Sequence, residues 1–158
     1  MPLTPVTWRH KEKLITEISD MPEGTYGFIY RVIHKPTQKK YIGKKVLYFE
    51  RNVKLGKRET EALKEERKAA GIGGRVPAKK KVVKESDWKT YYGSQEEIKK
   101  LAKESKPEDW TREILDFVST KKLLTYYEIK HIFTNDALED RDFLNDNILG
   151  KFYQKDFL

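Results

Sequence analysis

Cysteine is absent from this chain of 158 residues. The protein therefore has no disulfide bond, no thiolate zinc site and no cysteine nucleophile. Histidine is also scarce: the chain has three, His10, His34 and His131, and they share no helical spacing. A zinc site built on histidine is therefore not predicted. We interpret His131 as a packed helix residue, although it follows Glu128 by three positions, which leaves open that it lines the same cleft.

Long apolar segments are missing as well. No run approaches the roughly 20 apolar residues that a helix needs to cross a bilayer, and Met1 to Asp20 lacks the apolar centre of a signal peptide. Lysine and arginine number 33 against 25 acidic residues, which gives a formal charge of +8. Such an excess attracts a polyanion, either nucleic acid or an anionic membrane. Without a membrane segment, nucleic acid is the favoured partner, and we expect a cytoplasmic protein.

The segment 25–34 is rich in residues that favour β-strands. Apolar side chains fall on both of its faces, with Tyr26, Phe28, Tyr30 and Val32 on one and Ile29 and Ile33 on the other. This pattern predicts a central strand. A turn over 35–39 then leads into a second strand over 40–46, so the two form a predicted β-hairpin.

Further elements follow a mixed α/β pattern. Ser94 and Glu97 have the spacing of a capping box, which predicts a helix from there. Residues 110–118 predict a third strand, and 121–133 a second clear helix. Before the hairpin, Trp8, Leu14, Ile15 and Ile18 have the spacing of a short amphipathic helix. We predict that residues 1–23 are an arm packed on the domain formed by 24–158.

Two tyrosines stand out on the hairpin. Tyr30 and Tyr41 lie eleven residues apart, so the predicted turn brings them close to directly opposite each other. Gly43 follows two residues later, and a glycine inside a strand often marks close approach by another group. The simpler interpretation is an aromatic pair on a sheet surface.

Glu128 lies on the apolar stripe of its predicted helix. Leu124 and Ile132 precede and follow it by four residues, so the carboxylate is either desolvated or lining a cleft. A buried carboxylate requires a compensating arginine, lysine or metal ion. The alternative is a residue at the rim of the helix with its tip in water.

The motifs together resemble those of the GIY-YIG nuclease family. Gly27-Phe28-Ile29-Tyr30 and Tyr41-Ile42-Gly43 are similar to the two halves of its signature, at the usual separation, although the first half has one extra residue. The resemblance covers roughly 24–152. It implies an α/β fold in which helices flank a small three-stranded antiparallel sheet, and the activity of a DNA endonuclease.

The resemblance also implies site residues. Tyr30 would orient or deprotonate the attacking water, and Tyr41 would hydrogen-bond that water or the scissile phosphate. Arg51, ten residues after Tyr41, matches the family's arginine and would neutralise developing negative charge. The products would carry 5′-phosphate and 3′-hydroxyl ends.

Glu128 matches the family's metal-binding glutamate. It would hold one Mg²⁺ or Mn²⁺ ion per active site, since hard cations prefer oxygen ligands and keep several waters. Asn145 resembles the family's late asparagine and would position the backbone of the site or a phosphate oxygen, with Asn147 as the competing assignment.

A long charged insertion, at about 52–86, separates the two parts of the motif set. Its stretch 55–70 has helical composition and ends at a glycine-rich run, and a flexible basic loop is predicted after it. Double-stranded DNA is the expected partner, held through phosphate contacts that carry no sequence information. The predicted DNA-binding residues are Lys44, Lys45, Arg75, Lys79, Lys80, Lys81 and Lys84.

Several functions remain open on this basis. The first is a homing or otherwise site-preferring endonuclease of the phage-encoded, free-standing kind, acting in the cytoplasm of the host cell. The second is a structure-specific nuclease or one that degrades host DNA. The third is a basic nucleic-acid-binding module that uses the fold without cutting. The oligomeric state is not predicted.

Overall fold

The computed structural model of the protein describes residues 5–158. By its internal contacts the chain divides into two compact units. The first comprises the residues up to Leu47 together with Asp87–Leu158, and the second is Tyr48–Ser86. Each unit is described separately below.

The first unit is built on one mixed sheet. Its strands are β1 (Trp8–His10), β2 (Lys13–Ile15), β3 (Gly27–His34), β4 (Lys39–Val46) and β7 (Trp110–Val118). Their order in the sheet is β2-β1-β7-β3-β4, and β1 pairs parallel with β7 whereas the other neighbours are antiparallel. The prediction of a mixed α/β fold is confirmed, but the sheet has five strands rather than three.

The two additional strands come from the N-terminal region, where the sequence predicted a short helix. That prediction was wrong. Trp8 and Ile15 pair directly across β1 and β2 and are both 1% exposed, whereas Leu14 is 48% exposed. Alternation along a strand therefore explains the apolar residues whose spacing also fits a helical stripe. Residues 1–4 of the predicted arm lie outside the described residues.

The predicted hairpin of β3 and β4 is present, but its register differs from the expectation. Tyr30 pairs with Gly43, and Tyr41 pairs with Val32. The two tyrosines are therefore diagonal neighbours on one face rather than directly opposite each other. A turn with Gln38 in the left-handed region, at φ 60°, closes the hairpin and sets this register.

Apolar clusters cover both faces of the sheet. Phe28, Tyr30 and Val32 belong to one cluster with the buried tryptophans, and Ile29 and Ile42 belong to the other. Tyr26, which we placed with Phe28, packs instead against the second cluster, because β3 begins only at Gly27. Burial on both faces explains why β3 is apolar on both.

Two helices accompany the sheet, α2 (Glu96–Glu104) and α3 (Lys121–Thr134). The N-cap of α2 is Gln95 rather than Ser94, and its side chain accepts a hydrogen bond of 2.9 Å from the amide of Ile98. α3 begins after Thr120, whose hydroxyl accepts from the amide of Leu123. α3 packs against β3, β4 and β7 and contributes Leu124 and Ile132 to the second cluster.

The C-terminal segment lies along the outer side of β4. Lys40 donates a backbone hydrogen bond to Asp142 and accepts one from Leu144, each of 2.7 Å. This segment therefore continues the sheet beyond its last strand over a short stretch. Smaller elements complete the unit: β8 (Asn147–Ile148), β9 (Phe152–Tyr153) and the 3₁₀ turns Ile18–Asp20, Pro107–Asp109 and Gln154–Asp156.

The second unit contains β5 (Tyr48–Lys54), α1 (Lys57–Ala69) and β6 (Lys79–Glu85). The predicted helical stretch is present, but the predicted basic loop is largely a strand, since β6 pairs with β5 over seven residues. Val82 and Val83, among the lysines, supply β-propensity to this strand. Only Ser86 is buried in this unit, which therefore has no apolar core of its own.

Across residues 5–158, no helix is long and apolar enough to cross a membrane.

Candidate active site

Tyr30 lies in the centre of β3 with its ring on the backbone of the paired strand. Its side chain is 1% exposed, and Trp8 packs edge-on against it at 5.4 Å between ring centroids. A Cβ atom added to Gly43 would lie 2.4 Å from the Tyr30 hydroxyl and 2.6 Å from Cζ. Glycine at position 43 is therefore what makes room for the phenol.

Burial and neighbouring groups raise the pKa of Tyr30 well above its ordinary value of 10. Loss of hydration is the largest cause, followed by the phenols of Tyr91 and Tyr41, a hydrogen bond with Tyr91 and the charge of Glu128. A phenol with such a pKa stays protonated at neutral pH. This finding argues against Tyr30 as the base that deprotonates water and favours a role as a donor or a positioning residue.

Tyr41 is the more accessible phenol. Its ring lies 6.2 Å from that of Tyr30, and its side chain is half-buried. Burial raises the pKa of Tyr41, a hydrogen bond with Ser94 lowers it, and the charge of Glu128 raises it again. Gly93, with φ at 152°, lies against the same ring, where an added Cβ would approach Tyr41 Cδ1 to 3.3 Å.

Glu128 is half-buried on α3, with 22% of its side chain exposed. Burial raises its pKa, and Lys44 on β4, whose Nζ lies 3.9 Å from Oε1, lowers it only in part. The carboxylate raises the pKa of both phenols, so all three groups share one electrostatic neighbourhood. The phenols and the helix lie on opposite faces of the sheet, and β4, its outermost strand, carries Gly43 between them.

Asn145 is buried and binds the backbone of β4 through both ends of its amide. Its Oδ1 accepts from the amide of Ile42 at 3.0 Å, and its Nδ2 donates to the carbonyl of Ile42 at 2.8 Å. The Asn145 side chain thus bonds to the outer edge of β4 at Ile42, as the backbone of a neighbouring strand would. Asn147 is exposed, and its Oδ1 accepts from Gly150 in a turn. Of the two asparagines, it is Asn145 that contacts the signature strand.

The two lysines that follow Gly43 have different surroundings. Lys44 is exposed, and its Nζ also donates to the hydroxyl of Thr125 at 3.3 Å. Lys45 is buried, 7% exposed, with Nζ 2.5 Å from Asp87 and 4.0 Å from the centroid of the Tyr91 ring. We predicted both as DNA contacts; Lys44 is the one whose side chain is exposed, and a DNA contact by either lysine stays a prediction.

The segment that follows Asp87 was not predicted as part of the site. It supplies Tyr91 and Ser94, which hydrogen-bond the two signature phenols. The buried side chain of Arg112 fixes the segment by donating to the carbonyls of Lys89 and Tyr91, each at 2.9 Å. Burial lowers the pKa of Arg112 to about 10. The aromatic composition of 88–92 was the available signal, but it does not distinguish a site wall from ordinary core.

Arg51 and the remaining predicted DNA contacts belong to the second unit. Arg51 is exposed on β5 and pairs with Val82 of β6. Lys80 forms an ion pair with Glu59, and Lys81 forms one with Glu50 at 2.9 Å. The other three, Arg75, Lys79 and Lys84, are exposed. The participation of all these residues in DNA binding or catalysis stays a prediction.

The histidines make contacts within the fold. His131 Nε2 pairs with the Asp116 carboxylate on β7, and His10 Nδ1 lies 2.9 Å from the carbonyl of Ile114. His34 contacts the hydroxyls of Thr37 and Ser105. These contacts agree with the interpretation of His131 as a packed helix residue.

A family model described as "Putative endonuclease segE, GIY-YIG domain" matches residues 8–148. The chain belongs to the GIY-YIG nuclease family. The match includes both halves of the signature, the charged unit, α3 and Asn145, so the resemblance seen in the short motifs extends over nearly the whole chain. No curated protein and no solved structure matched significantly.

Replacing Gly43 with alanine should destabilise the GIY-YIG domain by about 1–3 kcal/mol, because the added methyl overlaps the Tyr30 ring and β3 and β4 are fixed by their pairing. Urea denaturation followed by tryptophan fluorescence measures this loss. Gly73→Ala is the matched control, since an added Cβ there meets nothing within 4 Å. Equal stability of the two variants would show that the phenol does not lie against the strand.

Replacing Asn145 with alanine should cost about 2–4 kcal/mol, because the amide and carbonyl of Ile42 then lose their partner in a buried place. Asn147→Ala should cost less than about 1 kcal/mol, since its partner is exposed to water. Chemical denaturation of the two variants compares these losses. A larger loss for Asn147 would contradict the structural assignment of the late asparagine.

Proposed function

We propose that this protein is a metal-dependent endonuclease that hydrolyses phosphodiester bonds of double-stranded DNA. The observation that carries the proposal is the carboxylate of Glu128, which is half-buried, lies 3.9 Å from Lys44 Nζ and raises the pKa of both signature phenols. Membership of the GIY-YIG family supports phosphodiester hydrolysis as the reaction. The Glu128 carboxylate would bind the cation, and the tyrosine hydroxyls would donate hydrogen bonds beside it.

The residues present fit a divalent cation of the magnesium type. Glu128 offers oxygen ligands from a half-buried position, and its ion-pair partner Lys44 is at the long distance of 3.9 Å between Nζ and Oε1. Among residues 5–158 no group of three or more histidine, aspartate or glutamate side chains is placed to hold a metal. One carboxylate plus water and substrate oxygens is the mode of binding that Mg²⁺ commonly uses. When bound, the cation would neutralise charge on the phosphate and on the leaving oxygen.

The tyrosines have separate tasks in this proposal. Tyr41, half-buried and held by Ser94, would hydrogen-bond the attacking water or the scissile phosphate. Tyr30 stays protonated and would keep Tyr41 and the backbone of Gly43 in place. Asn145 would hold the same strand from its other side.

Positively charged side chains would attract the phosphate and stabilise its negative charge. Lys44, exposed beside Glu128, would attract the phosphate to the carboxylate and its cation. Arg51 would stabilise negative charge that develops on the phosphoryl oxygens, because a guanidinium binds phosphate through two parallel hydrogen bonds. The reaction adds water across the P–O3′ bond and leaves 5′-phosphate and 3′-hydroxyl ends.

We also propose that cleavage is site-preferring, as in free-standing homing endonucleases, rather than a uniform degradation of DNA. The resemblance of the chain's motifs to those of phage-encoded, free-standing members supports this choice. The charged unit does not bear on it, because phosphate contacts carry no sequence information. The protein would act where DNA is accessible in a host cytoplasm.

Purified protein should nick or linearise plasmid DNA in Mg²⁺ and should not do so in EDTA. Glu128→Gln should lower the cleavage rate on the order of 1,000-fold, because the ligand that anchors the cation is lost. Agarose gels of timed reactions measure the rate. Glu139→Gln, a change of the same kind at an exposed position, should cut at the unchanged rate.

Two results would contradict the proposal. Cleavage that persists in EDTA would remove the cation from the mechanism. DNA binding without any cleavage, in Mg²⁺ or in Mn²⁺, would favour a binding module that keeps the fold but not the chemistry.

The raised pKa of Glu128 gives a stability test that does not depend on activity. Between its ordinary pKa of 4.5 and the raised value the folded state binds more protons, so without metal the stability of the wild type falls as pH rises through that interval. Glu128→Gln lacks this loss and should be the more stable protein at neutral pH in EDTA. Thermal melts from pH 4 to pH 8 compare the two.

The same melts test the cation directly. Mg²⁺ should raise the Tm of the wild type at neutral pH, where the carboxylate is charged, and not that of Glu128→Gln. Equal shifts in both proteins would place the cation elsewhere.

A further inference from the structure

The strands β5 and β6 form a ribbon whose two faces carry different charges. Because paired residues in an antiparallel ladder point to the same face, the register assigns each side chain to one of them. The first face carries Phe49, Arg51, Val53, Lys80, Val82 and Lys84. The second carries Tyr48, Glu50, Asn52, Lys54, Lys79, Lys81, Val83 and Glu85.

The acidic side chains of the two strands lie on only one of these faces. The strands of the first face, which we call the Arg51 face, carry three basic side chains and no acidic one, and one of these, Lys80, is paired with Glu59 of α1. The second face has three basic side chains, Lys54, Lys79 and Lys81, together with Glu50 and Glu85, and Lys81 is already paired with Glu50. The Arg51 face is therefore the more positive side of the ribbon, although both faces have the same number of cations.

The unit as a whole concentrates the charge of the protein. Residues 48–86 contain twelve basic and six acidic residues, a net charge of +6 of the total of +8. Only Ser86 is buried there, so these side chains are not explained by packing. A strongly charged surface with no core beneath it indicates a binding role rather than a structural one.

We propose that the Arg51 face is a track for one strand of DNA, on which Lys80 and Lys84 bind the phosphates next to the one that Arg51 contacts. Val53 and Phe49 lie two residues on either side of Arg51, and their cross-strand partners are Lys80 and Lys84. The two lysines are thus diagonal neighbours of Arg51, about 7–8 Å away between Cα atoms. Long side chains at that spacing reach successive phosphates of a backbone with one charge per ~3.4 Å of axis on each strand.

The ion pair of Lys80 does not prevent this role. Its partner Glu59 is on α1, and the two side chains are 45% and 47% exposed. An exposed pair of this kind contributes little stability, so exchange of the carboxylate for a phosphate is inexpensive. Lys84 and Arg51 are exposed as well.

This inference rests on the proposed function, because it takes DNA as the ligand and Arg51 as the residue at the scissile phosphate. It goes beyond that function by narrowing the predicted set of DNA-binding lysines on β6: Lys80 and Lys84 bind DNA, and Lys79 and Lys81, on the other face, are withdrawn from the set. Strand alternation places the two pairs of lysines on opposite faces of the ribbon, so two matched double variants can be compared.

The experiment compares two double variants of the full chain, Lys80→Ala with Lys84→Ala and Lys79→Ala with Lys81→Ala. Binding to a fluorescent DNA duplex is measured in EDTA, where the proposed cleavage does not occur, at salt concentrations from 50 to 200 mM. The slope of log K against log salt should become shallower by about 2 for the first variant, since each lost phosphate contact removes ~0.9. The second variant should keep the slope of the wild type.

Equal changes in both variants would overturn the proposal, because binding would then depend on net charge and not on one face. An unchanged slope in the first variant would overturn it as well. Circular dichroism checks that the ribbon stays folded, and the Lys→Gln versions of both variants repeat the comparison with side chains of more similar length. Cleavage in Mg²⁺ with an unchanged slope would reject the track alone, whereas binding through this face without cleavage would reject the nuclease proposal alone.

Discussion

The close approach of the Tyr30 phenol to the backbone of Gly43 is the constraint on which the site depends. With no side chain at position 43, the Tyr30 ring lies against its partner strand, and Tyr41 lies beside it on the same face. Gly43 is on the outermost strand, and α3 carries Glu128 on the opposite face of the sheet. The signature thus couples a packing requirement to an electrostatic one, since the charge of Glu128 acts on the phenol that Gly43 admits.

Much of the fold was predictable from local pattern. The hairpin, the strand over 110–118 and the helix from Lys121 followed from apolar alternation and periodicity, because each buries a continuous set of side chains. The N-terminal strands did not, because three-residue strands are too short to show a period, and the helix-like spacing of Trp8 and Ile15 came from a turn between them. β6 was missed for another reason: lysines dominate it, and its pairing partner lies 25 or more residues earlier in sequence.

Only part of the site could be read from sequence. Tyr30, Tyr41 and Glu128 could be predicted as candidates, because short motifs and a carboxylate on an apolar stripe are visible in the sequence. The burial of Lys45 was not, since its compensating partner Asp87 is 42 residues away and a lysine after a strand glycine looks exposed. The different exposure of the Tyr30 and Tyr41 phenols to water could not be predicted either, because it depends on Trp8 and on the segment 91–94.

The charged unit, Tyr48–Ser86, is inserted between two segments of the first unit, and a buried residue lies near each end of the insertion. Leu47 and Trp88 are both fully buried in the same apolar cluster, and the backbone amide of Leu47 and carbonyl of Trp88 bond to Tyr26 and Trp8. Residues 48–86 are therefore an insertion whose two ends are fixed by the sheet. Since the entropy of closing an insertion grows only with the logarithm of its length, a change in the length of this segment should cost the sheet little stability.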